Sequence, residues 1–238
     1  MSKGVRSFLH RIPKPSTRTL LVTTGTLAGT ASVGYFFSDR LSQIAKTGLL
    51  DDKPVEVLNT GTITIGGPFR LRNTAGQVVT EADLQGRLSL IYFGFTNCPD
   101  VCPEELEKLA KVLERLRRSH PTVHRVVQPV FVSVDPGRDT LQGIQAYLAD
   151  FTPDGKIVGW GALEDGNPAS VKQMAKAYRA YFAVSRTGAG PDDYLVDHST
   201  IVYMMGPDGK FIRHFGKADS IEDMVKVLVK EAKERKLK

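Results

Sequence analysis

Hydrophobic positions along the chain alternate between continuous runs and helical spacing. Leu88-Ser89-Leu90-Ile91-Tyr92-Phe93-Gly94-Phe95 is apolar, β-branched or aromatic almost throughout, which predicts a strand covered on both faces. Val126 to Val134 reads as a second buried strand, and Ile157 to Trp160 as a short one. Pro103 to Ser119 carries Leu106, Leu109, Val112, Leu113 and Leu116 with charges between them, the stripe of an amphipathic helix. Asp139 is placed to cap a helix through Leu148. Pro168 to Phe182 puts Val171, Met174, Ala175, Tyr178 and Phe182 on one helical face, and Ser220 caps a last helix to about Lys236.

Turn residues punctuate these elements. Phe69-Arg70-Leu71 and Val78-Val79 flank Asn73-Thr74-Ala75-Gly76, a hairpin pattern. Asp83-Leu84-Gln85-Gly86 reads as a short helical turn, and Ser185 to Tyr194, with Gly188, Gly190 and Pro191, as a long loop. Ser199 to Met205 and Lys210 to Phe215 flank Gly206-Pro207-Asp208-Gly209, a second hairpin. Strand–helix alternation closing on a hairpin and a helix predicts an α/β fold, a central mixed sheet flanked by helices in the thioredoxin-like manner.

The N-terminal stretch follows another logic. Residues 1–18 hold Lys3, Arg6, Arg11, Lys14 and Arg18 among Ser and Thr, without an acid, the pattern of a mitochondrial targeting segment. Thr19 to Ser38 carries no charge and is long enough to span a bilayer. Tyr35-Phe36-Phe37 would form an aromatic belt at one end, with the cations of the preceding segment on the matrix side. Gly25 and Gly29 make a helix-association pair; a cleaved leader is the competing reading. Residues 39–64 read as a tether and residues 65–238 as the folded domain. Of 32 basic residues five lie in the leader, which leaves 27 against 26 acidic ones. The body therefore offers no basis for nucleic-acid binding.

Candidate chemistry sits where the first buried strand ends. The chain's two cysteines, Cys98 and Cys102, flank Pro99-Asp100-Val101, and Pro103-Glu104-Glu105 follows. Pro suits a first helical turn, and acids suit its dipole. Thiols four residues apart at a helix N-terminus can meet each other or share one ion, and the helix dipole favours thiolate over thiol. Thiolates select Cu(I), Zn(II) or iron–sulfur centres. Structural zinc and most clusters demand four ligands, so two cysteines suffice only if histidine adds to them or the ion, as Cu(I), needs fewer. Two unrelated buried cysteines are the bland alternative. Of five histidines, His10 lies in the leader, His120 and His124 in a Pro-broken loop, and His214 beside Arg213 in a strand. His198 lies at the mouth of a predicted core strand, in Tyr194-Leu195-Val196-Asp197-His198-Ser199-Thr200.

These motifs resemble a known family. Phe93-Gly94-Phe95-Thr96-Asn97-Cys98-Pro99-Asp100-Val101-Cys102-Pro103, together with Val196-Asp197-His198-Ser199, is similar to the Sco (SenC) copper metallochaperones of cytochrome c oxidase assembly. Val134-Asp135-Pro136-Gly137-Arg138-Asp139-Thr140 and Gly206-Pro207-Asp208-Gly209 fit the same pattern. The resemblance implies a thioredoxin-like domain in the intermembrane space, anchored in the mitochondrial inner membrane. It implies copper, as Cu(I) and with Cu(II) open, held by Cys98, Cys102 and His198. That copper would come from an upstream donor chaperone and pass to the dinuclear CuA site of cytochrome c oxidase subunit II. Asp135 is a candidate supporting partner of the site, with an ordinary turn residue before Pro136 as the alternative. A metal carrier with no turnover is the first functional expectation. A thiol–disulfide reductase working through Cys98 and Cys102 is the second, and an oxidised pair could not carry Cu(I).

Overall fold

A computed structural model describes residues 64–190 and 193–237. The run from Leu88 forms strand β3 (Leu88–Gly94), buried at all seven positions. It runs parallel to β4 (Val127–Ser133), pairing Tyr92 with Phe131 and Gly94 with Ser133. β5 (Val158–Gly161) continues the sheet parallel to β4. The predicted first hairpin is β1 (Arg70–Asn73) and β2 (Val78–Thr80), added antiparallel on the far side of β5. The second is β8 (Val202–Met205) and β9 (Phe211–Phe215), added antiparallel on the far side of β3. The order is β2-β1-β5-β4-β3-β8-β9, so β3 is interior and has a ladder on both edges. This mixed sheet with flanking helices is the expected α/β, thioredoxin-like arrangement.

Helix α1 (Val101–Ser119) buries Cys102, Glu105, Leu106, Leu109, Val112, Leu113 and Leu116, the predicted stripe extended by one thiol and one carboxyl. It lies against α5 (Ile221–Glu234), which Ser220 caps by accepting from the Asp223 N–H. A 3-10 turn spans Glu81–Leu84. Four expectations are corrected. The segment holding His124 is a short helix, α2 (Pro121–Val126), started by Pro121 in its first turn. Asp139 does not cap α3 (Leu141–Ala149): Thr140 does, accepting from Gly143. Helix α4 (Ala169–Tyr178) ends well before Phe182, because Arg179 turns left-handed at φ 54°. The chain then forms a separate ribbon of β6 (Phe182–Arg186) and β7 (Tyr194–His198), whose strands take both ends of the loop expected over Ser185 to Tyr194. The targeting segment and the span, residues 1–38, lie outside the described residues, as does the tether up to residue 63. Among the described residues no helix is long and apolar enough to cross a membrane.

Candidate metal centre

β3 aims the chain into the loop that carries Cys98. Its last residue, Gly94, lies against α1: a Cβ there would sit 2.7 Å from Cys102 Sγ and 2.8 Å from the Phe131 ring. The loop is then folded back on itself and tied down. The Cys98 N–H donates to the Phe95 carbonyl at 3.2 Å. Thr96 donates through its N–H and hydroxyl to Asp139 at 3.0 and 2.6 Å, and Ser133 donates to the same carboxylate at 2.6 Å. Burial raises the Asp139 pKa above the usual carboxylate value, and those donors offset only part of that rise. Asp100 caps α1 by accepting from Val101, which leaves Cys98 in the turn before the helix and Cys102 in its first turn.

His198 closes the site from β7. Its Nδ1 lies 3.1 Å from the Ser199 carbonyl; a carbonyl only accepts, so Nδ1 carries the proton and Nε2 presents a lone pair. Nε2 lies 3.4 Å from Cys102 Sγ and 3.9 Å from Cys98 Sγ. The three ligand atoms all lie within 4.8 Å of one another, and all three residues are buried. Phe95 and Tyr92 meet the imidazole nearly edge-on, at ring-centroid distances of 5.4 and 6.1 Å. The Tyr92 hydroxyl donates to Cys102 Sγ at 3.5 Å. Burial lowers the His198 pKa below the usual histidine value, which favours the neutral ring. Burial also pushes the Cys102 thiol up to about 12, against the lowering effect of Tyr92. The expectation of a thiolate at the helix terminus is therefore corrected for Cys102. Desolvation outweighs the hydrogen bonds from Tyr92 and the Phe95 backbone, and the thiol keeps its proton until something replaces it.

The expected trio thus converges, although His198 arrives at the end of the ribbon and not at the mouth of a sheet strand. His214 stays exposed on β9 and His120 exposed between two helices. Asp135 accepts from the Tyr194 hydroxyl at 2.5 Å and from Arg138 Nε at 2.6 Å. Sequence reasoning missed Tyr92, Gly94, Arg138 and Tyr194. Gly94 carried a signal as a glycine inside a strand run one step from the thiol loop, and Arg138 stood in the Asp135-Pro136-Gly137-Arg138 motif without an assigned role.

A family model described as SCO1/SenC matches residues 58–233. The chain belongs to the SCO1/SenC family. Among SCO1/SenC relatives, Protein sco1 of Schizosaccharomyces pombe is 40% identical over 204 residues, covering 85% of this chain and 73% of that protein. Protein SCO1 homolog 1, mitochondrial, of Arabidopsis thaliana is 39% identical over 176 residues, covering 74% of this chain. The chain spans about half the length of that relative, 49%. Two solved structures are similar across the folded domain. Yeast Sco1 with copper bound superposes with TM-score 0.64 at 38% identity, covering 71% of this chain and 89% of that one. Arabidopsis thaliana ScoI with copper bound gives TM-score 0.62 at 39% identity, covering 71% of this chain and 99% of that one.

Proposed function

We propose that this protein is a mitochondrial copper metallochaperone that holds Cu(I) through Cys98, Cys102 and His198. In this reading it takes copper from a donor chaperone and hands it to the CuA site of cytochrome c oxidase subunit II. It would do so from the intermembrane space, on an inner-membrane anchor. The observation that carries the reading is the buried convergence of two thiols and one imidazole lone pair within 4.8 Å. Bonds of the length zinc makes, about 2.3 Å to sulfur and 2.0–2.1 Å to nitrogen, opened to a trigonal angle, separate S from N by about 3.8 Å. The separations of 3.4 and 3.9 Å bracket that value. Two thiolates and a neutral imidazole form a soft, three-coordinate set that suits Cu(I). Copper-bound relatives at 38% and 39% identity and mitochondrial names among the relatives support the same reading. With ligands drawn from a loop, a helix and a ribbon, an acceptor can replace them one at a time.

Anaerobic Cu(I) titration of the reduced full chain against a competing chelator tests the proposal. One copper per chain is expected, and Cys98→Ala or Cys102→Ala should abolish retention. Stoichiometric copper in either variant would sink the site. A second reading, reduction of the acceptor's cysteines, is favoured by one observation: Cys98 and Cys102 are both free and close together. The buried, protonated state of Cys102 makes it a poor attacking thiol, so Cys98 would have to lead.

A further inference from the structure

The ribbon that carries His198 is not part of the large sheet. Among the described residues β6 and β7 pair only with each other, with Phe182 opposite His198. Cys102 is fixed by a long packed helix, whereas His198 has no such ladder to the core. The ribbon meets the core through buried Val196 and through two side chains, Arg138 and Tyr194. Arg138 donates from Nε to Asp135 at 2.6 Å and from Nη1 to the Tyr194 carbonyl at 3.0 Å. Its guanidinium carbon stands 3.8 Å from the centroid of the Tyr194 ring and 5.8 Å from that of Phe95. Tyr194 returns the contact through its hydroxyl to Asp135, and a Cβ on Gly137 would come within 2.9 Å of that hydroxyl. Phe95 in turn meets both remaining parts of the site. Its carbonyl receives the Cys98 N–H, and its ring lies edge-on to His198 at 5.4 Å.

We infer that Arg138 is a positioning residue for His198, clamping the ribbon to the cysteine loop so that the imidazole stays in register with both sulfurs. The inference rests on the copper reading above and adds to it a determinant of how tightly the third ligand is held. Arginine is required because one planar group must pair with a carboxylate, donate to a carbonyl and stack on a ring together. A lysine ammonium is a point charge without that planar fork, and it cannot meet all three partners in one geometry. The competing account is a partly buried ion pair that steadies a loop and nothing more. The two accounts differ in whether the effect of Arg138 passes through His198.

A double-mutant cycle on the reduced full chain separates them. Arg138→Lys keeps the pair with Asp135 and loses the stack and the carbonyl bond. It should lower Cu(I) affinity about 10–100-fold, the usual cost of losing a ligand's support, with thermal unfolding nearly unmoved. In a His198→Ala background the same change should cost less than about twofold, since the ligand it positions is gone. Tyr194→Phe keeps the ring and loses the bond to Asp135. It should show a smaller loss in the same direction, and it carries the test if Arg138→Lys fails to fold. Unchanged affinity, or an equal loss in both backgrounds, would overturn the inference. Failure of the unaltered chain to retain Cu(I) would instead strike the copper reading. The metal-free NMR signals of the His198 ring then decide the clamp alone. Arg138→Lys should shift or broaden them while amides of the large sheet stay put, and unmoved ring signals overturn it.

Discussion

Cys102 Sγ receives the Tyr92 hydroxyl at 3.5 Å and faces the lone pair of His198 at 3.4 Å. With its pKa pushed up to about 12 by burial, this thiol holds its proton through the whole neutral range and can donate it to the imidazole. Binding a soft cation as a thiolate ligand must expel that proton. Below the pKa the thiolate fraction rises tenfold per pH unit, so Cys102 alone should raise apparent Cu(I) affinity about tenfold per unit between pH 6 and 8. Competition against a chelator corrected for its own protonation measures the slope, and a flat profile would mean that Cys102 is not a ligand. The two cysteines were readable because soft side chains beside a helix start are rare and local, and His198 from its place before a predicted core strand and from the family resemblance. The protonation state was not. A dipole argument sees the helix terminus but not the Gly94 and Tyr92 walls that strip water from the sulfur.

At the scale of elements, the centre depends on how closely β3 approaches α1. Gly94 is the last residue of β3, and an added methyl would meet Cys102 Sγ at 2.7 Å, the Phe131 ring at 2.8 Å and the Tyr92 ring at 3.1 Å. All three neighbours belong to the buried core, so the methyl has no soft surface to displace. Gly94→Ala should cost about 1–3 kcal/mol of stability, the usual penalty of overpacking, and should also weaken copper by moving Cys102 off its line to His198. Chemical denaturation and Cu(I) competition read the two effects. Wild-type values in both would refute the close approach. Most elements were legible because their periodicity is long or their turn residues are strong, as in the run from Leu88 and in Gly206-Pro207-Asp208-Gly209. The β6–β7 ribbon was not. Val184 and Leu195 are 56% and 59% exposed, which blurs the alternation that announces a strand. Asp139 was misjudged for a related reason. Its partners Thr96 and Ser133 come from two other segments, and a capping rule looks only forward along the chain.

At the scale of the whole molecule, three pieces of chain distant in sequence make one site, and the question is whether that site carries an ion or exchanges electrons. Cys98 and Cys102 lie four residues apart, but His198 is ninety-six residues beyond Cys102, and Arg138 reaches Tyr194 across fifty-six. Such contacts are written in topology rather than in any local pattern, so the clamp could not be read from the chain. The His198→Ala variant uses this separation. The imidazole takes no covalent part in dithiol exchange, so the variant should still form and reduce its Cys98–Cys102 disulfide at a near-normal rate. Its fold should survive, because His198 ends a ribbon that hydrogen-bonds only to itself within the sheets, and because Asp135, Arg138 and Tyr194 remain joined. Copper is different. Removing one of three ligands leaves two buried thiols, and tight Cu(I) retention should be lost. Expressed in a cell that lacks its own copper carrier for the oxidase, His198→Ala should therefore fail to restore cytochrome c oxidase while keeping its disulfide chemistry. Full restoration would remove His198 from the site and favour the reductase.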